Sequence, residues 1–114
     1  MKLFDTETIV ELLRKSEHEF GAISIITLIE VLRGIESEKR TEAKELLEES
    51  FFVINLNNKI VETYCHLYRK LKENGLLIPD ADLLIAATAI AQDLTLESRN
   101  QHFQRLKELG LKTE

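Results

Sequence analysis

The 114-residue chain has one cysteine, one proline, four glycines and no tryptophan. Each scarcity closes off a class of protein. Cys65 alone can form no internal disulfide and has no second thiol at zinc-ligand spacing. A disulfide scaffold and a zinc ribbon are excluded, and a reducing, cytoplasmic setting is the natural expectation. Cys65 itself is expected in the core or at its boundary. So few prolines and glycines leave no linker, repeat or low-complexity segment. Long apolar runs are missing too: Leu83–Ala91 falls far short of the ~20 residues that span a bilayer. The N-terminus is strand-like and reaches an acid at Asp5, so no secretory signal is expected.

Positive charge is in deficit, with 15 Lys and Arg against 20 Asp and Glu, a net charge of −5. Wrapping nucleic acid electrostatically takes concentrated Lys and Arg. The basic groups present are Arg14-Lys15, Arg69-Lys70 with Lys72, and Arg99 with Arg105 and Lys107. They read as solvated helix faces. An enzyme that touches nucleic acid through a bound cation stays open, because a divalent ion offsets clustered carboxylates.

What is present suits one globular domain spanning 1–114, since 44% hydrophobic residues suffice for an ordinary core. Met1–Thr6 reads as a very short strand, followed by a helix over Thr8–Arg14 capped by Asp5 or Thr6. Ala22–Ile25 is a second strand signal. Thr27 is a plausible cap for a helix over Leu28–Arg33, closed by Gly34. Glu36–Ser50 is charged throughout, an exposed helix anchored by Ala43, Leu46 and Leu47. Phe51–Ile54 is a buried-type strand. Asn57 or Asn58 then caps a helix whose apolar side is Ile60, Val61, Tyr64, Leu67, Tyr68 and Leu71, ended by Gly75. A helix from Asp80, a strand over Leu94–Leu96, a helix over Gln101–Leu109 and an edge strand over Leu111–Thr113 complete the chain. Short strands alternating with helices predict an α/β fold, a mostly parallel sheet flanked by helices.

Three acids stand out against this frame. In Ile78-Pro79-Asp80-Ala81-Asp82 the two aspartates precede the uncharged run Leu83–Ala91, which is apolar around the whole helix and so predicts burial. The plain reading is that Asp80 and Asp82 cap that helix and suit its dipole. Yet Asp82 shares a helix line with Ile85, Ala86 and Ala89, at the rim of a core where an anion needs a partner. Asp5 ends the first strand, at the edge where open α/β sheets bind ligands. Glu30 is the only charge between Gly21 and Arg33. Its plain reading is the wet side of an amphipathic helix. The turn Ser98-Arg99-Asn100 follows the fourth strand and should meet Asp5 at the shared C-terminal edge. Several carboxylates in one cavity repel unless a cation neutralises them. Hard oxygen donors suit Mg²⁺ or Mn²⁺ and phosphodiester hydrolysis.

Four segments, Leu3-Phe4-Asp5-Thr6, Ser24–Glu30, Ile78–Ala87 and Leu96–Phe103, resemble in order and spacing the successive signatures of PIN-domain ribonucleases. Within that family the chain is most similar to the VapC-type toxins of prokaryotic toxin–antitoxin pairs. The resemblance runs nearly end to end. It implies a three-layer PIN-like fold and a Mg²⁺- or Mn²⁺-dependent endoribonuclease with Asp5, Glu30 and Asp82 as metal ligands. Asp82 is the family's acid rather than Asp80, because it directly precedes the Leu-Leu-Ile-Ala-Ala run. Asn100 is a further candidate catalytic residue. RNA as substrate, a cognate antitoxin and a homodimer are implied as partners.

The chain departs from the family at two places. Members often carry Thr-x-Asp-x-Asp-Phe where this chain has Ser98-Arg99-Asn100-Gln101-His102-Phe103. Asn100 can coordinate through its carbonyl oxygen or orient a water, but it brings no charge. Glu7 and Thr8 stand where small polar and apolar residues are usual.

Three alternatives remain. A metal-free ribonuclease would use paired histidines as acid and base. His18 and His66 read as surface residues, which leaves His102 unpaired. A receiver-like regulatory domain would want an aspartate after the middle strand, where Asn55-Leu56-Asn57 stands. A non-catalytic PIN-like binding domain fits the uncharged Asn100.

Overall fold

A computed structural model describes all 114 residues. Five short strands, β1 (Lys2–Phe4), β2 (Ala22–Ser24), β3 (Phe52–Ile54), β4 (Thr95–Glu97) and β5 (Lys112–Thr113), form one sheet. Its order is β3-β2-β1-β4-β5 and every pairing is parallel. Strand alternation divides the core. Leu3, Ala22 and Leu96 face one way, packing with Ile60, Leu67, Leu83 and Phe103. Phe4 and Ile23 face the other way, against Ile9, Leu12, Leu28 and Leu47. The helices α1 (Thr6–Arg14), α2 (Ile25–Arg33) and α3 (Ser37–Ser50) therefore cover one face. The helices α4 (Asn58–Glu73) and α5 (Asp80–Ala91), with a final 3₁₀ helix (Gln101–Leu109), cover the other. This is the layered α/β arrangement that the alternation of elements predicts.

α5 is buried as its all-round apolar sequence requires: Leu83, Ile85, Ala86, Ala87, Thr88, Ala89 and Ala91 are all inside. Thr88 satisfies its hydroxyl on the Leu84 carbonyl at 2.8 Å. Since α5 leads into the start of β4, its own N-terminus lies at the opposite, C-terminal edge of the sheet. That carries Asp82 to the edge where β1 and β4 end.

Several local expectations are corrected. Ser24, not Thr27, caps α2, its Oγ accepting the Ile26 N–H at 3.0 Å. The strand runs straight into the helix, and Thr27 becomes a buried residue of the first turn. Asp80 caps nothing: Pro79 holds the cap position of α5 without a side-chain bond, and Asp80 accepts from the Tyr64 hydroxyl at 2.6 Å. Phe51 is buried, but β3 is an edge strand and Phe52 is exposed. Of the anchors expected in α3, Leu47 is buried and Leu46 is exposed. On α4 Ile60, Leu67 and Leu71 are buried and Tyr64 packs partly buried against the core; Val61 and Cys65 are exposed, so Cys65 is not a core residue.

Candidate active site

The pairing of β1 with β4 sets Phe4 beside Glu97, so the residues that follow, Asp5 and Ser98, meet at the sheet edge. Asp5 is the N-cap of α1, its Oδ1 accepting the Thr8 N–H at 3.0 Å. Its Oδ2 accepts a bond from the Ser98 hydroxyl. At 3% exposure Asp5 is nearly enclosed, and an anion so placed has to be met by donors on both oxygens. Ser98 Oγ in turn accepts the Asn100 N–H at 2.9 Å.

Glu30 comes from the neighbouring connection. Ser24 starts α2 early enough that Thr27 and Glu30, one turn apart, both face the beginning of α1. Thr6 Oγ1 lies 2.6 Å from Glu30 Oε1 and 3.1 Å from Thr27 Oγ1. A hydroxyl has one proton and a carboxylate has none, so Thr6 donates to Glu30 and accepts from Thr27. Arg33 stands 3.7 Å from the other oxygen, Oε2. Its side chain is largely in solvent, so this contact is a weak one.

Asp82 is reached from the fourth segment. Asn100 Oδ1 accepts the His102 N–H at 2.9 Å and so caps the 3₁₀ helix. With its oxygen committed there, Asn100 presents Nδ2 to Asp82 Oδ2 at 3.4 Å. His102 Nδ1 approaches the same oxygen at 3.1 Å. Both donors go to Oδ2.

The polar network thus has two parts, Glu30 with Thr6 and Thr27, and a chain from Asp5 through Ser98 and Asn100 to Asp82 and His102, adjoining where Thr6 follows Asp5. The residues singled out in sequence, Asp5, Glu30, Asp82 and Asn100, all lie along it. They do not form a ready-made cage: as the side chains stand, no three of the histidine, cysteine, aspartate and glutamate groups converge tightly enough to enclose an ion. Protein hydroxyls, an amide and an imidazole engage the carboxylates instead. The donor set itself is three carboxylates with neutral oxygens alongside, which fits a hard cation such as Mg²⁺ or Mn²⁺. Glu7 is exposed on α1 and lines, with Thr8, Glu97, Ser98 and Arg99, a cleft of about 490 Å³ beside the network.

Sequence reasoning did not assign the roles of Thr6 and Thr27. The signal was the one-turn spacing of Thr27 and Glu30, hidden by taking Thr27 for a cap. Of the histidines only His102 joins the network; His18 and His66 are exposed elsewhere. β3 lies at the sheet edge, two strands from Asp5, which removes the receiver-like arrangement from the centre of the sheet. Outside the network, Asp80 pushes the Tyr64 hydroxyl up to about 12, through its hydrogen bond first and desolvation second.

Comparison with known proteins gives consistent findings. A profile of the PIN domain matches residues 2–109. Ribonuclease VapC1 of Methanocaldococcus jannaschii is 41% identical over 114 residues, covering 96% of this chain and 84% of that protein. The structure of VapBC-1 from nontypeable Haemophilus influenzae matches with a TM-score of 0.84 at 28% identity, covering 99% of this chain and 96% of that one. VapBC2 from Rickettsia felis, bound to a DNA fragment from their promoter, matches at 0.76 and 27%, again over 99% and 96%.

Proposed function

The chain belongs to the PIN-domain family, and on that premise we propose that it is a metal-dependent endoribonuclease, the toxin of a toxin–antitoxin pair. The observation that carries this reading is the hydrogen-bonded chain joining Asp5, Asn100 and Asp82 where β1 and β4 end, with Glu30 held beside it by Thr6, the residue next to Asp5. Four separate stretches of sequence supply these groups, and a fold with no use for the site would not need to bring three carboxylates and an amide to one edge. Similarity to a named ribonuclease and to VapBC complexes supports the activity and the partner.

Asp5, Glu30 and Asp82 are the residues that would hold Mg²⁺ or Mn²⁺. Such an ion, when bound, supplies an activated water and neutralises phosphate charge. The chain's own residues do the preparatory work. Thr8 N–H and the Ser98 hydroxyl fix Asp5. Thr6 fixes Glu30, and Asn100 with His102 fixes Asp82. Held carboxylates lose little freedom on binding the ion and RNA, which lowers the entropic cost of assembling the site. A homodimer, a cognate antitoxin covering the acidic edge and a cytoplasmic setting complete the proposal. No helix is long and apolar enough to cross a membrane.

The test is cleavage of a mixed RNA substrate with Mg²⁺ or Mn²⁺, with and without EDTA, by the protein and by Asp82→Asn. Removing a ligand should lower cleavage by more than about 100-fold, beyond the loss typical of residues that only support a ligand. The amide oxygen of the variant can still accept from His102, so folding should change little. Cleavage at the original rate by the variant would sink the metal assignment, and an unfolded variant would mean that Asp82 serves the fold through its contacts with Asn100 and His102. The uncharged Asn100 favours a second reading, a PIN fold retained for binding alone. EDTA-independent absence of cleavage by the unaltered protein would favour it.

A further inference from the structure

We infer that His102 is a positioning residue: its imidazole grips Oδ2 of Asp82 and so decides which carboxylate oxygen faces the cation. The inference rests on the metal-site reading above and deepens it. An ionised carboxylate can only accept, so His102 carries its proton on Nδ1 and donates at 3.1 Å. Nε2 then points away from Asp82. The backbone that carries the ring is held as well, because the N–H of His102 is bonded to Asn100 Oδ1 at 2.9 Å. The other donor to the same oxygen, Asn100 Nδ2, is at 3.4 Å, beyond the usual N–H···O range. The imidazole is therefore the tighter of the two holds.

Why such a hold matters follows from the aspartate itself. Rotation about the terminal torsion of an aspartate is soft and two-fold, so a carboxylate at 22% exposure swings unless a neighbour stops it. Two donors on Oδ2 and none on Oδ1 give Asp82 one preferred face. A side chain that orients a ligand in this way changes metal affinity or activity by about 10- to 100-fold when removed. The half-exposed ring of His102 packs into no core, so replacing it need not disturb the fold.

Calorimetric titration of the full chain with Mn²⁺, alongside RNA cleavage at limiting and saturating Mn²⁺, tests the inference. His102→Ala should weaken Mn²⁺ binding about 10-fold, with cleavage recovering at saturating ion. His102→Asn should restore most of the affinity, because its amide nitrogen falls near the place of Nδ1. His102→Gln, whose amide lies one carbon farther out, should not. If His102→Ala fails to fold, the contrast between His102→Asn and His102→Gln decides. Unaltered affinity in His102→Ala or His102→Gln, with affinity lost in Asp82→Asn, would overturn the inference and leave the metal site standing. Equal weakness in His102→Ala, His102→Asn and His102→Gln would make the imidazole itself a ligand and overturn it too. Binding that is absent from the unaltered protein would bring down the metal-site reading, and this inference with it.

Discussion

Asn100 carries two duties with one amide: its oxygen caps the 3₁₀ helix and its nitrogen faces Asp82. Asn100→Asp keeps the cap but turns the donor into a second anionic oxygen, 3.4 Å from Asp82. Without a cation the two charges repel by on the order of 1–2 kcal/mol at a partly hydrated site. Thermal unfolding in EDTA should fall by several degrees. Excess Mn²⁺ should raise the midpoint of the variant more than that of the unaltered protein, because tighter binding stabilises more. Equal midpoints in EDTA and equal gains with Mn²⁺ would show that position 100 does not face the ion. Tyr64 offers a pH-dependent check on the neighbouring turn. Its hydroxyl is raised from 10.0 to about 12 by the bond to Asp80. A folded-state value above the unfolded one favours the protonated phenol. The stabilisation is fully present below pH 10 and is lost as pH rises through 12. An ultraviolet titration of phenolate should show one tyrosine ionising near pH 12, and Asp80→Asn should bring it back toward 10. A titration unaltered by that substitution would mean the Tyr64–Asp80 bond is absent in solution.

At the scale of elements, the approach of chain segments decides what the site can contain. Gly21 precedes β2 and lies against β1, where a Cβ would sit 2.4 Å from Phe4 Cε2 and 3.0 Å from the Lys2 carbonyl oxygen. Phe4 is fully buried and cannot swing clear. Gly21→Ala should cost about 1–3 kcal/mol and spread β1 from β2, read as a lowered denaturation midpoint. Cleavage should fall too, because β1 and β2 place Asp5 and Glu30. A variant of undiminished stability would mean that Phe4 repacks freely. Helix starts are harder to read. Ser24 and Thr27 are both competent caps, and Thr27 is the expected one only because Ala22–Ile25 reads as strand. The parallel pairing of Ser24 with Ile54 ends the strand at Ser24 and starts α2 there. Similarly, Asp80 has the chemistry of a cap, but Tyr64 from α4 captures it first.

For the whole molecule, local pattern went far because most elements carry their own instructions. The apolar circumference of Leu83–Ala91 demanded burial, and α5 is buried. Asp5, between a short strand and a helix, is expected at an edge, and of the two cap candidates Asp5 and Thr6 it is Asp5 that caps. Alternating strands and helices dictated a parallel sheet, and the order of four motifs carried the family. What pattern did not contain were facts about neighbours. Phe52, Leu46, Val61 and Cys65 look like core material by composition, yet they are exposed because β3 lies at the sheet edge and α3 and α4 each have one face inward. Burial is a property of what packs opposite, which no single segment encodes. The same holds for the site. Sequence supplied the carboxylates and the chemistry they suit. Only the pairing of β1 with β4 and the return of α5 to the sheet edge could join Asp5 to Ser98 and Asp82 to His102. Those contacts span more than ninety residues in one case and about twenty in the other. The tertiary structure decided them, since hydrogen bonds need their partners within about 3 Å and only folding brings such distant residues that close.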